Sequence, residues 1–384
     1  MKIGIDASFL ARDTRGMGRA TRSIVARMLG LFNHEFYFIM VKHKSDEKSI
    51  QKHFPEKKLD FMTVKDSRIS MLDVIWFPWS RIDFFPSARR AVTIHDLAPY
   101  RYSHKRKGSE GYNDRKRIKE ACEAADMIIT PSDFSRSEIC TFLEIPQEKI
   151  EVIPHGVEEI FKPQELEREK AAQYLDRFSK GLPYILFVGN VEKRKNIDVL
   201  LYAFEKAKKE YTFPHKLIVA GKCPGTLVGS NGTTGWSRKL LSRIGIPKKT
   251  TKNSIVSLVE KLSVKEDVVW LGEVTDEDLL ALYNLAKLFV FPSFYEGFGL
   301  PILEAMACGV PCIVSEIPPF VEVAQDAVAY FDPKNAADLA EKMWLIISDS
   351  DLTAKMRKRG FEQAQKYQWD VSAHKHIKVL EELR

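Results

Sequence analysis

Short apolar runs alternate with longer amphipathic stretches along most of the 384 residues. Runs such as YILFV at 184–188 and LFVF at 288–291 hold four or five apolar residues and end at glycine or proline, which favours buried strands over helices. Strands that alternate with helices usually pair in parallel, and a chain of this length accommodates two domains. The pattern therefore predicts an α/β protein with two doubly wound parallel sheets.

The apolar runs give one set of predicted strands for each domain. These strands are 2–6, 36–41, 73–78, 91–94, 126–130 and 150–153, then 184–189, 216–221, 268–274, 288–291 and 310–314. Helices are predicted at about 20–31, 118–125, from 133 onward, and at 164–180, 197–209, 236–244, 276–286, 301–307, 335–348 and 369–383. Residues 42–70 are charged and irregular, so no element is predicted there. A boundary near residue 160 divides the chain into domains 1–160 and 161–366.

Residues 291–315, FPSFYEGFGLPILEAMACGVPCIVS, combine a strand, a glycine loop, a helix and a second strand. The loop carries Gly297 and Gly299, which allow the backbone to approach a ligand closely. Pro301 suits a first helical position because its missing N–H would be unpaired there, and Gly309 ends the helix. The amides of Phe298, Gly299 and Leu300 would then be unpaired donors at a helix N-terminus, which attracts a phosphate.

Two carboxylates, Glu296 and Glu304, bracket this glycine loop. Carboxylates do not bind phosphate, so these two must contact hydroxyl groups or remain in solvent. A ligand with a diphosphate between two polyols, a nucleotide sugar, fits the first alternative. Two solvated glutamates beside a structural turn are the second.

A basic pair marks a second candidate phosphate site after the strand 184–189. Gly189 ends that strand, and Arg194 and Lys195 come just before the helix at 197–209. Lysine supplies a point charge and arginine a planar fork, and charge-assisted hydrogen bonds contribute about 1.5–3 kcal/mol each. The pair is suited to stabilise a departing diphosphate, and a solvated charge pair is the alternative.

The first domain contributes two weaker motifs. Gly16 and Gly18 precede the helix at 20–31, but Thr21 stands where a dinucleotide fingerprint has its third glycine, which argues against a dehydrogenase. His95, followed by Asp96, comes at the C-terminal end of a strand, where open parallel sheets bind ligands. An ordinary glycine turn and a histidine bonded to backbone are the respective alternatives.

These residues together resemble a known family. The spacing of Glu296 and Glu304 resembles the E-x7-E signature of retaining glycosyltransferases of the GT-B fold, the family 4-like or group 1 enzymes. The sequence RKN at 194–196 and the segment 315–333 are similar to that family's pattern. The resemblance implies two Rossmann-like domains that face each other across a cleft, with the C-terminal helix, about 367–384, packing back on the first.

The resemblance also implies a reaction. It is the transfer of a hexose, with mannose favoured, from a GDP-, UDP- or ADP-linked sugar to a hydroxyl of a saccharide or lipid-linked saccharide, with retention. Such a reaction belongs to glycan, lipopolysaccharide or glycolipid synthesis. No metal and no other cofactor is expected, because cationic side chains and a helix end stabilise the leaving diphosphate.

Roles for individual residues follow from the family's motif. Glu304 matches the glutamate that binds ribose hydroxyls, Glu296 the one near the donor sugar, and His95 a contact to the sugar or acceptor. The candidate catalytic residues are Glu296, His95, Arg194 and Lys195. The candidate donor-binding residues are Gly16, Gly18, Gly189, Arg194, Lys195, Glu296, Gly297, Phe298, Gly299, Leu300 and Glu304.

Composition narrows the function classes. The net charge of +7 divides into +4 for residues 1–160 and +3 for the remainder, without a basic motif interleaved with aromatics, so no nucleic-acid partner is expected. Five cysteines without a C-x-x-C pair argue against zinc and fit a reducing cytoplasm. No 18-residue apolar run is present, and the N-terminus is predicted as a strand, not a signal peptide. A nucleotide-sugar epimerase of similar architecture and a non-catalytic sugar-nucleotide binder remain alternatives.

Two segments have no role in this scheme. Residues 101–119 hold eight Lys and Arg against Glu110 and Asp114. A solvated helix face is the default interpretation, and a docking surface for an anionic membrane or a lipid diphosphate, at the inner face of the membrane, is the alternative. Residues 222–254 are longer than the resembled family requires and are interpreted as an insertion.

Overall fold

A computed structural model describes residues 1–13, 16–41, 46–102, 110–223 and 254–384. The chain divides into two compact units. The first contains Met1–Glu158, Glu296–Leu300 and Tyr367–Arg384, and the second contains Glu159–Tyr295 and Pro301–Lys366. The loop after Tyr295 therefore groups with the first unit, and the chain rejoins the second at Pro301.

A seven-stranded sheet forms the centre of the first unit, and every neighbouring pair of strands is parallel. Its strands are β1 (Lys2–Asp6), β2 (Glu35–Met40), β3 (Asp60–Thr63), β4 (Val74–Phe77), β5 (Arg89–Thr93), β6 (Met127–Thr130) and β7 (Ile150–Val152). The spatial order is β3-β2-β1-β4-β5-β6-β7. The direction of strand order thus reverses between β1 and β4, as in doubly wound folds.

Side chains along each strand point alternately to opposite faces of this sheet. Both faces carry apolar residues, and helices cover both of them. Val74 and Trp76 belong to one buried cluster, and Ile75 and Phe77 belong to the other. The helices of the first unit are Gly16–Leu31, Glu47–His53, Ala98–Tyr102, Glu110–Ala124, Asp133–Leu143 and Trp369–Glu382. Short 3₁₀ turns lie at Ser67–Met71 and Gln147–Lys149.

The second unit contains a six-stranded parallel sheet. Its strands are β8 (Tyr184–Val188), β9 (Lys216–Ala220), β10 (Val268–Gly272), β11 (Leu288–Phe291), β12 (Cys312–Ser315) and β13 (Ala329–Phe331). The spatial order β10-β9-β8-β11-β12-β13 is that of a dinucleotide-binding Rossmann sheet, with its reversal between β8 and β11. The α/β class and the doubly wound sheets are therefore confirmed.

The second unit's helices lie before, between and after these strands. They are Arg168–Ser179, Ile197–Glu210, Ser254–Lys261, Asp276–Leu285, Leu300–Ala307, Pro318–Ala324, Ala336–Ser348 and Ser350–Ala364, with 3₁₀ turns at Lys193–Lys195 and Lys265–Asp267. The helix Leu300–Ala307 ends as predicted at Gly309, whose N–H bonds to Met306 O at 2.9 Å while the N–H of Val310 bonds to Ala305 O at 3.0 Å. This pair of bonds is the Schellman motif.

Several predicted elements were wrong in detail. The segment 42–70 contains the helix Glu47–His53 and the edge strand β3, which sequence reasoning missed because both are short and weakly periodic. The helix Ser350–Ala364 was also missed. Gly16 and Gly18 lie in the first turn of a helix and not in a loop before it. The insertion at 222–254 lies almost entirely outside the described residues, as does part of the basic stretch, 103–109.

Candidate functional site

The reversal of strand order in the second unit places two loops side by side, one after β8 and one after β11. Ligands of open α/β sheets bind at this position because neighbouring helices diverge from it. The backbone joins the two loops, since the N–H of Phe294 donates to Arg194 O at 2.8 Å. Two predicted site residues, Arg194 and Lys195, therefore lie at the switch point of the sheet.

Lys195 is buried, with only 8% of its surface exposed. Its ammonium lies 4.5 Å from the centroid of the Phe291 ring, a cation–π contact with the last residue of β11. Arg194 donates from Nε to Glu192 Oε2 at 3.1 Å and from Nη1 to Tyr295 O at 3.4 Å. Lys195 is buried and Arg194 is partly exposed. Because little solvent screens the charge of Lys195, its electric field within the site is stronger than that of Arg194.

Asn196 explains why these two loops hold their shape. Its side-chain amide donates to Pro292 O at 3.0 Å and to Pro333 O at 2.7 Å, which connects the loop after β8 to the ends of β11 and β13. Its backbone has a left-handed conformation with φ of 51°, which asparagine tolerates better than most residues. The sequence match at 194–196 therefore has a structural part, Asn196, as well as a charged part.

Glu304 lies in the helix Leu300–Ala307 and is 5% exposed. The hydroxyl of Tyr283 donates to Glu304 Oε2 at 2.9 Å and also contacts Pro301 O at 3.4 Å. Tyr283 comes from the preceding helix, Asp276–Leu285, and the sequence predicted this helix without a role for Tyr283. A buried phenol usually needs a partner for its O–H, and that was the signal available in the sequence.

In the first unit, the structure brings together the glycine loop and the turn after β5. A Cβ added to Gly297 would lie 2.1 Å from His95 O, so only glycine allows this approach of the two backbones. The Ser132 hydroxyl donates to Gly297 O at 2.6 Å, and the Ser135 hydroxyl approaches the same oxygen at 3.3 Å. The sequence did not connect Ser132 with this loop, because Gly297 is 165 residues away.

The other residues of the glycine loop also have partners in the first unit. The Phe298 ring makes an edge contact with His155 at 5.2 Å between centroids. Gly16 faces Leu300, with 3.9 Å between a built Cβ and Leu300 Cδ1. Gly299 has φ of 124°, and Glu296 is 8% exposed. Gly18 lies against the loop that precedes its own helix, where a Cβ would lie 1.8 Å from Asp13 O.

His95 is buried, and its Nε2 lies 2.9 Å from Pro78 O. A carbonyl oxygen only accepts, so Nε2 carries the proton and Nδ1 of the neutral ring is an acceptor. Burial lowers the pKa of His95, although the bond to Pro78 and the nearby Asp96 oppose that shift. The backbone bond considered as an alternative is therefore present, and it sets the tautomer of the ring.

Asp6 ends β1 at the first sheet's own switch point and is fully buried. Burial raises the pKa of Asp6 to about 6, partly opposed by two hydrogen bonds from Ser8. The indole N–H of Trp79, just after β4, donates to Asp6 O at 2.8 Å. Sequence reasoning gave this carboxyl no role.

The described ranges contain no cluster of three or more His, Cys, Asp or Glu side chains that could hold a metal ion. Nor does any helix within them have the length and apolar character to cross a membrane. On the helix Glu110–Ala124, Lys116, Arg117 and Lys119 each have an acidic partner one turn away. This part of the basic stretch is therefore charge-compensated.

Known protein families match most of this chain. Residues 168–363 match the family model described as Glycosyl transferases group 1, and residues 69–159 match Glycosyltransferase Family 4. The chain is 30% identical to O-antigen chain mannosyltransferase B of Escherichia coli over 283 residues, which is 73% of this chain and 67% of that protein. It is 29% identical to the serotype-specific mannosyltransferase WbdA of Escherichia coli over 74% of this chain, and it spans only about a third of that protein.

The fold has close counterparts among solved structures. HepE of Anabaena, crystallised in complex with UDP and glucose, superposes with a TM-score of 0.73 at 14% identity, over 99% of both chains. The two doubly wound units are those of a GT-B glycosyltransferase. The chain belongs to the group 1 glycosyl transferases, and it is a hexosyltransferase.

Proposed function

We propose that the enzyme moves mannose from a nucleoside diphosphate sugar, GDP-mannose in the first instance, to a saccharide hydroxyl with retention at the anomeric carbon. The observation that carries this proposal is the buried cation Lys195 beside Arg194 at the switch point of the second sheet. The mannosyltransferases among the relatives support the choice of sugar.

The proposed chemistry uses these cations to stabilise charge that grows on the leaving group. As the bond from the anomeric carbon to the diphosphate oxygen breaks, its electron pair remains on the diphosphate, and Lys195 and Arg194 compensate that charge. The acceptor oxygen bonds to the same face of the carbon, and its proton passes to a diphosphate oxygen. No metal ion is proposed in this step.

Carboxylates and the histidine have supporting roles in the proposal. Glu304 binds the ribose hydroxyls, and Glu296 orients hydroxyls of the donor sugar. His95, neutral and with Nδ1 as an acceptor, receives a hydrogen bond from a hydroxyl of the sugar or acceptor. The backbone from Gly297 to Leu300 contacts the diphosphate at the start of a helix.

Substitution of Lys195 by alanine is the direct test of the donor site. Lys195→Ala is expected to weaken GDP binding about 10- to 100-fold, the value of one charge-assisted bond. The matched control is Lys193→Ala, because Lys193 belongs to the same 3₁₀ turn and is exposed. Calorimetry with GDP and UDP gives both affinities. Equal losses in the two variants would place the diphosphate elsewhere.

Product analysis tests the reaction itself. With GDP-mannose and an oligosaccharide acceptor, NMR of the product is expected to show the anomeric configuration of the donor, and activity is expected to survive EDTA. Glu296→Ala is expected to lower turnover more than donor binding. An inverted product, an isomerised donor without acceptor, or a strict Mn²⁺ requirement would each contradict one part of the proposal.

We also propose that the enzyme works on a lipid-linked saccharide at an anionic membrane surface. The O-antigen chain mannosyltransferase among the relatives supports this proposed membrane contact. Basic residues on the helix Glu110–Ala124 are paired with acidic residues of the same helix. The basic residues to test are therefore Lys105, Arg106 and Lys107, which lie outside the described residues. Flotation with anionic vesicles is expected to weaken when these three become alanine. Undiminished flotation of that variant would refute the contact.

A further inference from the structure

Tyr283 and Glu304 form a buried contact between two helices. The Tyr283 hydroxyl donates to Glu304 Oε2 at 2.9 Å, and the two residues are 21 positions apart in the sequence. Tyr283 is fully buried and Glu304 is 5% exposed. A carboxylate with so little water around it depends on hydrogen bonds from the protein to remain ionised and to hold one orientation.

The ring of Tyr283 has little freedom to move. Phe161 packs against it edge-on, with centroids 5.8 Å apart and planes at 86°, and Phe289 of β11 does so at 5.7 Å and 62°. The hydroxyl makes a second contact of 3.4 Å with Pro301 O, in the first turn of the helix that carries Glu304. The donor atom is therefore fixed relative to both the carboxylate and the helix start.

We propose that Tyr283 is a positioning residue, which sets the plane of the Glu304 carboxylate so that it accepts hydrogen bonds from two adjacent ribose hydroxyls. This inference rests on the proposed function, in which Glu304 binds ribose. A carboxylate accepts from a vicinal diol only when its plane is aligned with both hydroxyls, because hydrogen bonds weaken steeply with misalignment. Tyr283 itself does not need to touch the ligand.

The chain offers a matched control in Tyr184, the first residue of β8. Tyr184 is also fully buried, and its hydroxyl donates to Leu282 O at 2.8 Å, one residue from Tyr283. Tyr184→Phe and Tyr283→Phe each remove one buried phenolic hydroxyl group from the same unit. Any loss that follows only from lower stability should therefore appear in both variants.

The test compares GDP with 2′,3′-dideoxy-GDP by calorimetry, and the UDP pair is used in the same way if UDP binds more tightly. For the wild type, removal of the ribose hydroxyls is expected to weaken binding about 10-fold or more, the value of a hydrogen bond to a charged group. Tyr283→Phe is expected to weaken GDP binding about 10-fold and dideoxy-GDP binding less than about 2-fold. The preference for the ribose diol would then be largely lost.

The outcomes separate the inference from the proposed function. Tyr184→Phe is expected to keep the wild-type preference, and Glu304→Ala to abolish it. If Glu304→Ala keeps the preference, or if neither nucleotide binds the wild type, the proposed ribose contact is wrong and this inference fails with it. If Glu304→Ala loses the preference but Tyr283→Phe keeps it, only the positioning role is overturned. Tyr283→Met replaces Tyr283→Phe should the latter not fold.

Discussion

Individual side chains at the candidate site are held by partners that are far away in the sequence. Ser132 holds Gly297, Tyr283 holds Glu304, and Phe291 lies under the Lys195 ammonium. Each of these partners comes from a different element. A substitution at a partner is therefore expected to change the position of a site residue without removing its chemistry.

Buried histidines are expected to make the first unit sensitive to acid. His376 is fully buried on the helix Trp369–Glu382, and burial, reinforced by the nearby His95, lowers the pKa of His376 to about 4. Above pH 6.5 the ring is neutral in both the folded and unfolded chain. Between pH 6.5 and 4 only the unfolded chain takes up this proton, so the stability is lost as pH falls through that window.

We therefore expect His376→Leu to flatten the pH dependence of unfolding between pH 6.5 and 4, by up to about 3 kcal/mol over the window. His374→Leu is the control, because His374 is exposed on the same helix and makes the same type of bond to the carbonyl four residues earlier. Urea titrations at a series of pH values measure the effect. Parallel curves for wild type and His376→Leu would show that His376 does not control acid stability.

At the scale of elements, helix ends do more than terminate helices in this protein. The Ser132 hydroxyl accepts from Ser135 N at 3.1 Å as the N-cap of the helix Asp133–Leu143, and the same hydroxyl donates to Gly297 O. Asn196 occupies the N-cap position of the helix Ile197–Glu210 and makes no side-chain cap bond there. Its amide instead connects β11 and β13 through Pro292 and Pro333.

Ser132→Ala is expected to lower the free energy of unfolding by about 1–2 kcal/mol, the usual value of a cap. It should also slow transfer about 10-fold, because the glycine loop loses the hydroxyl that fixes its carbonyl. Asp349→Ala is the control, since Asp349 caps the helix Ser350–Ala364 through two backbone N–H groups. Chemical denaturation and steady-state transfer rates are measured for both variants. Equal transfer rates would mean that Ser132 acts only as a helix cap.

At the scale of the whole molecule, the last segment, Tyr367–Arg384, belongs to the first unit. Trp369, Ala373, Ile377, Val379 and Leu380 are buried in the same cluster as β1 and the helix Gly16–Leu31. The chain thus completes the core of its first unit with its final helix. Folding of the first unit consequently depends on residues that are separated from it by the whole second unit.

Truncation after Lys366 is expected to unfold the first unit and leave the second folded. Loss of four large buried side chains removes about 6–12 kcal/mol, at 1.5–3 kcal/mol each, which is comparable to the stability of a domain. Hydrogen exchange should show loss of protection across 1–158 and retained protection across 159–223. Truncation after Glu382 is the control. Retained protection of β1 and β4 in the shorter chain would contradict the dependence.

Local patterns of apolar and polar residues were enough to predict the fold class and most of the elements. Apolar runs, several of which end at glycine or proline, identified eleven of the strands, because a strand buried on both faces must be apolar along its length. Sequence reasoning missed β3 at the sheet edge and predicted no strand at β13, and it left out the helix Ser350–Ala364. The motif at 296–304 was recognisable because its glycine, proline and glutamate positions are local in the chain.

The contacts between residues, in contrast, follow from how the elements pack. The sequence does not connect Tyr283 with Glu304, Ser132 with Gly297, or Asn196 with Pro333, since each contact joins two elements that only the packing of the fold brings together. The burial of Lys195 and the tautomer of His95 have the same origin. Local sequence fixes backbone preference and polarity, whereas desolvation and hydrogen-bond partners depend on the packing of elements.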